Sequence, residues 1–380
     1  MGRPPFVVSC VPCDSYGRAA VEEAVREAFR LCRFFPLEAV PTLLKANLLS
    51  PSDPSRAVTT HPEILRALLT ELIKAGCPDV MIGDNPGYIF RHQEKALFQK
   101  TGVSEICEDL PARFGLLSSD GYMEVRPQKA EKLQTVRISK ILMNFPRLIG
   151  VSKLKTHVET EMTGSIKNLF GAIDTDTRKK AHGARSRTYL LEAIVDIFSV
   201  RAPDLFVLDA VEGMEGWGPS HGKPKRVGWV ASSSNALALD YVQAVMMGFS
   251  DPFDIPLLSI ASKRLDGPAG KEDIELRGAR WDDLPCEGFE RAPSLVRWVP
   301  SFLRGAAHHM VRLKPSLSRA ACIKCGICEK VCPVNAILFS PGRWPEIDRK
   351  KCVQCLCCHE MCPTGAMEVR ESYLSRLLKK

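Results

Sequence analysis

The 380-residue sequence predicts an α/β domain with a mostly parallel sheet and flanking helices, followed by a small C-terminal α+β domain. Strand-like and helix-like segments alternate over roughly the first 250 residues, as in strand–helix–strand units. Nine of the fifteen cysteines lie between Cys322 and Cys362, which indicates a separate cysteine-rich unit. At this length, two domains are the expected number.

The first part of the α/β region contains three strand signals separated by two helices. "FVVSC" predicts the first strand, and residues 17–35 have apolar positions at helical spacing. "AVPTLLKANLL" predicts the second strand. "THPEILRALLTELIKAG" predicts a helix with Thr60 as its N-cap and Gly76 at its end, and "PDVMIGD" predicts the third strand.

The alternation continues with further strands and helices. Their segments are "RLIGVSKLKTH", "LLEAIVDIFSV", "DLFVLDA", "RVGWVAS" and the helix "NALALDYVQAVMMG". "MTGSIKNLFG" (162–171) has its apolar residues on one helical face, and Gly171 suits the position just after a helix. The pattern therefore predicts helices on both faces of one parallel sheet.

Composition excludes several classes of protein. No window holds eighteen uncharged apolar residues, and the N-terminus lacks a long apolar segment, so we predict neither a membrane span nor a secretion signal. The formal charge is +8, but the basic residues are scattered, so nucleic acid is not a predicted partner. Fifteen cysteines in such a chain favour metal binding over disulfides, and we expect a cytoplasmic location.

Two C-terminal segments repeat one cysteine pattern. "CIKCGICEKVCPVNAI" and "CVQCLCCHEMCPTGAM" both have the spacing C-x2-C-x2-C-x3-C-P. Bacterial two-cluster ferredoxins have this spacing, and the fourth cysteine of each run binds the other 4Fe–4S cluster. The predicted ligands of the first cluster are Cys322, Cys325, Cys328 and Cys362. The predicted ligands of the second cluster are Cys352, Cys355, Cys358 and Cys332.

Other features of the cysteine pattern bear on this prediction. "AILFSPGRWPEID", between the repeats, predicts two strands joined by a Pro-Gly turn. Zinc is the alternative metal, but zinc sites usually have two separated CxxC pairs. Cys357 is outside the repeat and is interpreted as a packed thiol. Cys10 and Cys13 form a lone CxxC, for which a redox thiol, a ligand-facing thiol and a packed pair all remain open.

Polar residues collect where the predicted strands end, which is the edge where parallel α/β sheets bind ligands. After the second strand come Lys45, Asn47 and His61, and after the third comes the "GDNPG" turn. After the fifth strand come Asp209, Glu212 and Glu215 in a glycine-rich loop. Neither G-x-G-x-x-G after a strand nor a Walker A sequence occurs, which disfavours a classical nucleotide site.

The fourth strand and the following helix predict an anion site. Lys153, Lys155 and His157 alternate, so a strand directs all three to one face. Thr163 and Ser165 are near the start of the helix, where free N–H groups favour an anion. The alternative is a solvated basic strand followed by an ordinary amphipathic helix. Asp240, inside an apolar helix, needs either a buried partner such as a site lysine or a helix edge that reaches solvent.

Several of these stretches together resemble the family of domain of unknown function number 362, which is often fused to a ferredoxin module. They are "KANLL", "TTHPEILRALL", "GDNPG", "SKLKTH", "SIKNLFG", "DAVEGMEGWGP" and "ALALD", within roughly residues 10–245. The resemblance implies an α/β domain but no dependable reaction. It places these residues at family motif positions: Lys45, Asn47, His61, Lys153, Lys155, His157, Lys167, Asn168, Asp209, Glu215 and Asp240. Ala46 stands where the family often has proline.

These observations predict an iron–sulfur oxidoreductase that passes single electrons through two 4Fe–4S clusters to an anionic substrate, or to a flavin, in the α/β domain. The predicted catalytic residues are Lys155, His157, His61 and Glu215, with a histidine as the proton donor. The predicted substrate-binding residues are Lys45, Asn47, Lys153, Lys167, Asn168 and Asp209. The alternatives are a non-catalytic electron carrier or assembly factor, and a ligase or transferase with a structural ferredoxin tail.

The domain organisation follows from these segments. Residues 1–290 are predicted as the α/β domain, 291–315 as a basic linker, 316–370 as the ferredoxin domain and 371–380 as a tail helix. The linker contains His308 and His309 and allows contact with a membrane surface. The expected partners are an electron donor or acceptor protein and an anionic small molecule.

Overall fold

A computed structural model describes residues 5–34, 38–293 and 313–370. The strands are β1 (Phe6–Pro12), β2 (Thr42–Lys45), β3 (Val80–Asp84), β4 (Arg113–Leu116), β5 (Tyr122–Val125), β6 (Val136–Ser139), β7 (Arg147–His157), β8 (Glu161–Thr163), β9 (Leu205–Glu215), β10 (Lys223–Ser233), β11 (Ile274–Arg277), β12 (Lys314–Leu317), β13 (Ile337–Leu338), β14 (Glu346–Ile347) and β15 (Met367–Arg370). The predicted tail helix, and His308 and His309 of the predicted linker, lie outside the described residues.

Among the described residues, ten helices belong to the large domain, and two short ones belong to the C-terminal cysteine-rich unit. They are α1 (Arg18–Leu31), α2 (Pro62–Lys74), α3 (Glu94–Lys100), α4 (Val103–Asp109), α5 (Lys140–Asn144), α6 (Ser165–Asn168), α7 (Thr175–Gly183), α8 (Arg187–Val200), α9 (Ala236–Met246), α10 (Pro256–Arg264), α11 (Ile327–Lys330) and α12 (Cys357–Glu360). Short 3₁₀ turns occupy Pro54–Arg56, Tyr88–Phe90, Leu169–Ala172, Pro252–Asp254, Lys271–Asp273 and Trp281–Asp283. Each of the described helices is too short or too polar to cross a bilayer.

One mixed sheet organises the large domain. Its strand order among the described residues is β11-β1-β10-β9-β7-β2-β3-β4, and β8 pairs with β7. The β9-β7-β2-β3-β4 half is parallel throughout, and β1 is parallel to β11. β10 runs antiparallel to both of its neighbours, and β8 runs antiparallel to β7. The predicted α/β fold with a mostly parallel sheet is therefore confirmed.

Both faces of the sheet are covered by helices. Along β9, Phe206 and Leu208 contribute to one apolar core, whereas Leu205 and Val207 contribute to the other. Side chains of a strand alternate between the faces, so each central strand joins two cores. Helices α1–α4 cover one face, and α5–α10 cover the other. This arrangement leaves the carboxyl ends of β2, β3, β7 and β9 at one uncovered edge.

Two local predictions were wrong in detail. The N-cap of α2 is His61, not Thr60: its Nδ1 atom accepts a hydrogen bond from the Glu63 N–H at 3.2 Å. The Thr60 side chain is used elsewhere, because its hydroxyl binds the Asn47 N–H and the Val151 carbonyl. The predicted helix over 162–171 is shorter, because Met162 and Thr163 pair with β7 before α6 begins.

The C-terminal module has two similar halves. β12 pairs with β15, and β13 pairs with β14, so the predicted strand–turn–strand segment is confirmed. Each half contains two left-handed residues after its first and second cysteines: Lys324 and Gly326 in one, Gln354 and Leu356 in the other. These left-handed residues turn the chain between successive cysteines of each run. β12 begins at Lys314, within the segment predicted as linker.

The module packs against the uncovered edge of the large sheet. Met361 of the module lies so close to Gly87 that a Cβ atom there would be 2.6 Å from its sulfur. The His221 ring nitrogen Nε2 is 3.0 Å from the His359 carbonyl oxygen, at hydrogen-bond distance. Leu49 and Tyr88 also pack against the apolar core of the module. The cysteine-rich unit therefore covers the edge where the candidate site residues gather.

Candidate functional site

A cavity of about 150 Å³ lies between the carboxyl edge of the sheet and the C-terminal module. The large domain supplies polar and charged walls through Asn47, Lys155, Lys167 and Arg178. The module supplies residues of α12 and its flank: Cys357, Glu360 and Met361. Side chains of the two domains therefore face the same small space.

Lys155 is the most deeply buried cation of this cavity, with 1% of its surface exposed. Its ammonium group donates to Asn47 Oδ1 and to the Val58 carbonyl, each at 2.7 Å. Both acceptors are neutral, so no carboxylate is hydrogen-bonded to this charge. Burial, together with repulsion from Lys167, lowers the pKa of Lys155 to about 7.

Lys167 and Arg178 are further cations without a bonded counterion. Among the described residues, the Lys167 ammonium makes neither a hydrogen bond nor an ion pair, and lies 6.0 Å from the Phe170 ring centre. Arg178 donates to two carbonyls, Pro86 at 3.2 Å and Gly171 at 3.0 Å. Its Nε atom is buried without a partner. Burial lowers the pKa of both side chains, as expected for charges held away from water.

The remaining charges leave the cavity cationic. His182 lies 3.4 Å from Glu159, and although burial opposes the shift, this carboxylate raises the pKa of His182. Lys179 also lines the cavity, with its ammonium 5.6 Å from the Tyr88 ring centre. Asp84 and Glu360 are carboxylates of the cavity wall. Asp84 is paired with Lys45, whereas Glu360 is not part of that ion pair. Cations therefore outnumber carboxylates around this space.

A hydrogen-bonded network below the cavity holds Lys155 in place. Lys45 forms a buried ion pair with Asp84 at 2.8 Å and donates to Asn168 Oδ1 at 3.2 Å. The same Asn168 oxygen accepts from Asn47 Nδ2 at 3.1 Å, and Asn47 Oδ1 binds Lys155. Burial lowers the pKa of Lys45, and the Asp84 carboxylate opposes this shift. Lys45 and Asn168 thus lie beneath the cavity wall rather than in it.

Lys153 belongs to a second cluster that does not line the cavity. Its ammonium lies 3.0 Å from Asp209 and 2.6 Å from the Tyr16 hydroxyl. Tyr16 donates to Asp209 at 2.7 Å and stacks on His61 with ring centres 3.5 Å apart. Asp209 also accepts from the His61 N–H. The cluster satisfies its own polar groups, and its cation is neutralised by a bonded carboxylate.

The histidines and Glu215 occupy positions that differ from their predicted roles. Burial lowers the pKa of His61 to about 4 and that of His157 well below its ordinary value. His157 Nδ1 accepts backbone N–H bonds from Glu159 and Thr160, and Nε2 is buried, 4.0 Å from Glu360. Glu215 binds the Glu290 N–H outside the cavity. Neither histidine is therefore poised to give up a proton near neutral pH.

Of the two explanations left open for Asp240, the structure excludes a helix edge that reaches solvent and supports a buried partner, although this partner is not a lysine. Asp240 is 1% exposed, so its helix edge does not reach solvent. Its partners are backbone groups, because its carboxylate accepts the N–H groups of Ser165 at 2.6 Å and Ile166 at 3.0 Å. The N–H groups predicted to hold an anion at the start of α6 are thus occupied by Asp240. Burial raises the pKa of Asp240 to about 6.

The four cysteines predicted for the first cluster line one small cavity of the module. Sulfur atoms of both sets also accept backbone N–H bonds, with Lys324 donating to Cys322 and Ala336 donating to Cys332. Such N–H···S bonds are typical of iron–sulfur ligands. Among the described residues, no three His, Cys, Asp or Glu side chains converge closely enough for a single metal ion. Thiols placed around a volume suit a cubane better than one zinc ion.

The cysteines predicted for the second cluster also converge. The pKa of Cys358 is raised well above its ordinary value, first by burial and then by the neighbouring thiols of Cys355, Cys352, Cys328 and Cys332. Because Cys328 belongs to the first set, the two sets adjoin one another. Cys357 corresponds to Ile327 of the first repeat; it lines the cavity, and its thiol also contacts that of Cys355 in the second set. The residues present therefore fit two clusters, with the second set next to the cavity.

Two further observations change what the sequence predicted about the cysteines and about the residues of the site. Cys10 and Cys13 are both buried, but they belong to the cores on opposite faces of the sheet, so they are not a packed pair. Arg178, Lys179 and His182 line the cavity although none of them was predicted. The available signal was the basic run "RKKAH" shortly after "SIKNLFG". Thr163, whose buried hydroxyl lacks a partner, also lines the cavity.

Comparison with known proteins agrees with this organisation. The chain matches the family described as a domain of unknown function (DUF362) over residues 42–245. It matches the 4Fe-4S dicluster domain over residues 321–366. A thylakoid-associated protein of Synechocystis sp. is 31% identical over 230 residues, which cover 59% of this chain and 67% of that protein.

Similarity to solved structures is weaker. The lactate racemase apoprotein from Thermoanaerobacterium thermosaccharolyticum has 14% identity and a TM-score of 0.39, over 62% of this chain and 55% of that chain. A Thermotoga maritima protein has 12% identity and a TM-score of 0.41, over 89% and 88% of the two chains. At these TM-scores neither likeness supports an argument about function. By its matched domains, the chain belongs to the DUF362 family and carries a C-terminal 4Fe–4S domain of ferredoxin type.

Proposed function

We propose that this protein is an iron–sulfur oxidoreductase that reduces a small anionic substrate in the cavity between its two domains. The observation that carries the proposal is a set of cations without bonded counterions, Lys155 buried and Lys167 and Arg178 half-buried, facing the same space as the segment that contains the second cysteine set. Buried charges are costly unless they are paired. A bound anion supplies the missing partner.

Lys155, Lys167 and Arg178 provide the anion-binding wall in this proposal. Lys155 and Arg178 are fixed by neutral acceptors, which orient their N–H groups without neutralising their charge. Two of the three Lys155 N–H bonds are used, so one is left for a ligand. Asn47 and Asn168 act as positioning residues, because they connect Lys155 to the Lys45–Asp84 ion pair.

Lys155 is also the proposed proton donor. Reduction of an anion adds negative charge that a proton must balance, and efficient donors have a pKa near the working pH. The pKa of Lys155, lowered to about 7 by burial and by Lys167, meets this condition. The pKa values of His157 and His61 do not, because burial keeps both rings neutral. Lys155 therefore takes the role that the sequence had assigned to a histidine.

The ferredoxin-type module is the proposed source of electrons. Cys322, Cys325, Cys328 and Cys362 would hold one cluster and Cys352, Cys355, Cys358 and Cys332 the second, and such clusters would supply single electrons. The second set belongs to the segment that lines the cavity through Cys357, Glu360 and Met361. The volume of about 150 Å³ favours a small anion over a flavin. We retain the cytoplasm as the proposed location.

The proposal is tested by single-turnover oxidation of the reduced holoprotein. Anaerobically purified protein is reduced, freed of reductant, and mixed with nitrite, sulfite or fumarate as probes, while cluster absorbance is followed. At least one probe should oxidise the wild-type clusters, and Lys155→Met or Lys167→Met should slow this by about a hundredfold. A neutral quinone is the control oxidant, and it should oxidise all variants at equal rates.

Two outcomes would contradict the proposal. If no probe oxidises the clusters faster than buffer does, the alternative of a non-catalytic electron carrier or assembly factor is favoured. If a probe oxidises the wild type and both variants equally, electrons leave by another route and the cavity is not the site. Lys223→Met, at an exposed position on β10, is the matched control for loss of a lysine.

A further inference from the structure

The two cysteine sets differ in their access to solvent. In the second set, Cys332 and Cys358 are buried, and the adjoining helix α12 faces the cavity. In the first set, Cys325 is exposed. Electron transfer between proteins requires the cofactor to lie near the surface, so the first set is the accessible end of the module.

Two exposed apolar side chains belong to the half of the module that contains the first cysteine run. Ile323, within the first cysteine run, is 63% exposed, and Leu338, on β13, is 62% exposed. They are the two most exposed large apolar side chains of the described residues; Phe114 and Met123 follow at 39% and 38%. Apolar side chains next to an exposed redox ligand are typical of a surface that a partner covers.

The charges around this surface are mainly positive. Lys324 lies 4.2 Å from the Trp344 ring centre and donates to the Gly342 carbonyl, and the exposed Arg343 is next to both. Arg319 and Lys330 are exposed nearby in the chain. None of these four cations forms an ion pair with another described residue. Two carboxylates also belong to this region: Glu329, which accepts the Phe339 N–H, and the exposed Glu346, which pairs with Leu338 across β13 and β14.

We infer that the surface formed by Ile323, Lys324, Cys325, Leu338 and Arg343 docks a small acidic electron-carrier protein that delivers electrons to the first cluster. The exposed apolar pair provides the contact area that excludes water. The unpaired cations complement an acidic partner and accelerate its association. On the proposed function, these electrons then reach the cavity through the second cluster.

A binding measurement tests this inference without reference to any substrate. Holoprotein is titrated with a purified flavodoxin, a small acidic one-electron carrier, at low and at high salt. Ile323→Glu and Leu338→Glu should each weaken binding by at least about tenfold, because they place a carboxylate against an acidic partner. Met123→Glu, at an exposed apolar position on β5, should bind within about twofold of the wild type.

A kinetic measurement separates docking from cluster damage. Reduced flavodoxin should reduce the clusters of Ile323→Glu and Arg343→Glu at least about tenfold more slowly than those of the wild type, whereas dithionite should reduce all proteins equally. Leu338→Glu and Arg343→Glu lie outside the cysteine runs, so cluster loss in Ile323→Glu leaves the test intact. Unchanged flavodoxin binding by Leu338→Glu together with an unchanged reduction rate of Arg343→Glu would overturn the inference, as would binding that salt does not weaken. So would concentration-dependent dimers that the same substitutions disrupt, since a second copy would then cover the surface.

Discussion

The pKa of Lys155 gives the most specific prediction about the cavity. Lys155 is protonated below pH 7 and neutral well above it, because burial and Lys167 lower its pKa to about 7. Its protonated fraction falls from half at pH 7 to about 1% at pH 9, so anion affinity that needs this charge falls about 50-fold. Sulfate is a suitable probe, because it keeps a constant charge over this range.

The assay is calorimetric titration of the holoprotein with sulfate at constant ionic strength between pH 6 and pH 9. His182, with a raised pKa, and Lys167, with a lowered pKa, face the same cavity, so the quantity to compare is the ratio of wild-type to Lys155→Met affinity. This ratio should fall about 50-fold from pH 7 to pH 9. Lys223→Met should keep the wild-type profile. A ratio that stays constant with pH would refute the reasoning that assigns Lys155 to the anion.

Unfolding free energy should show the same shift with a defined sign. The unfolded chain holds the Lys155 proton up to the ordinary pKa of 10.5, whereas the folded protein loses it near pH 7. Between these values the unfolded state binds more protons, so stability rises with pH, by up to about 1.4 kcal/mol per pH unit. Lys155→Met should lack this component, and denaturant titration at pH 7, 8 and 9 measures the difference.

Three other predictions concern neighbouring contacts. Asp240→Asn should lower the unfolding free energy by about 2 kcal/mol, because one of the two N–H groups that Asp240 accepts from α6 would then face an amide NH₂ group. Urea denaturation measures this change, and an unchanged midpoint would contradict the contact. Lys45→Met should cost about 3 kcal/mol or more by leaving Asp84 buried without its partner, whereas Lys223→Met should cost almost nothing. Cys357→Ile, which copies Ile327 of the first repeat, should retain the wild-type iron content, whereas Cys358→Ser should lose iron; equal losses would make Cys357 a ligand.

The sequence predicted the fold well because periodicity and cysteine spacing are local signals. Strand β7 is found over the predicted residues 147–157, and α9 lies within the predicted segment 235–248. The cysteine runs also predicted which thiols converge, because three cysteines at this spacing can surround one cluster. Helix boundaries were less accurate at α6, where Met162 is at helical spacing from Ile166, yet Met162 and Thr163 pair with β7.

The candidate site was predicted only in part, because its members are set by tertiary contacts. Lys153 and Lys155 alternate along one strand, yet the register of β7 with β9 shifts between them. Lys153 is neutralised by Asp209, whereas Lys155 donates to neutral acceptors at the cavity. Arg178 and Glu360 come from α7 and from the module, at positions that nothing local in the sequence connects to β7. Asp240 was noticed as unusual, but its backbone partners follow only from the packing of α9 on α6.

The central claim is that an anion in the cationic cavity lies next to the second cluster. The most direct measurement is the EPR spectrum of the fully reduced protein, recorded anaerobically with and without sulfate. We predict that sulfate changes the signal of one cluster in the wild type, and changes neither signal in the Lys155→Met, Lys167→Met double variant. Spectra of the wild type that are identical with and without saturating sulfate would contradict the account.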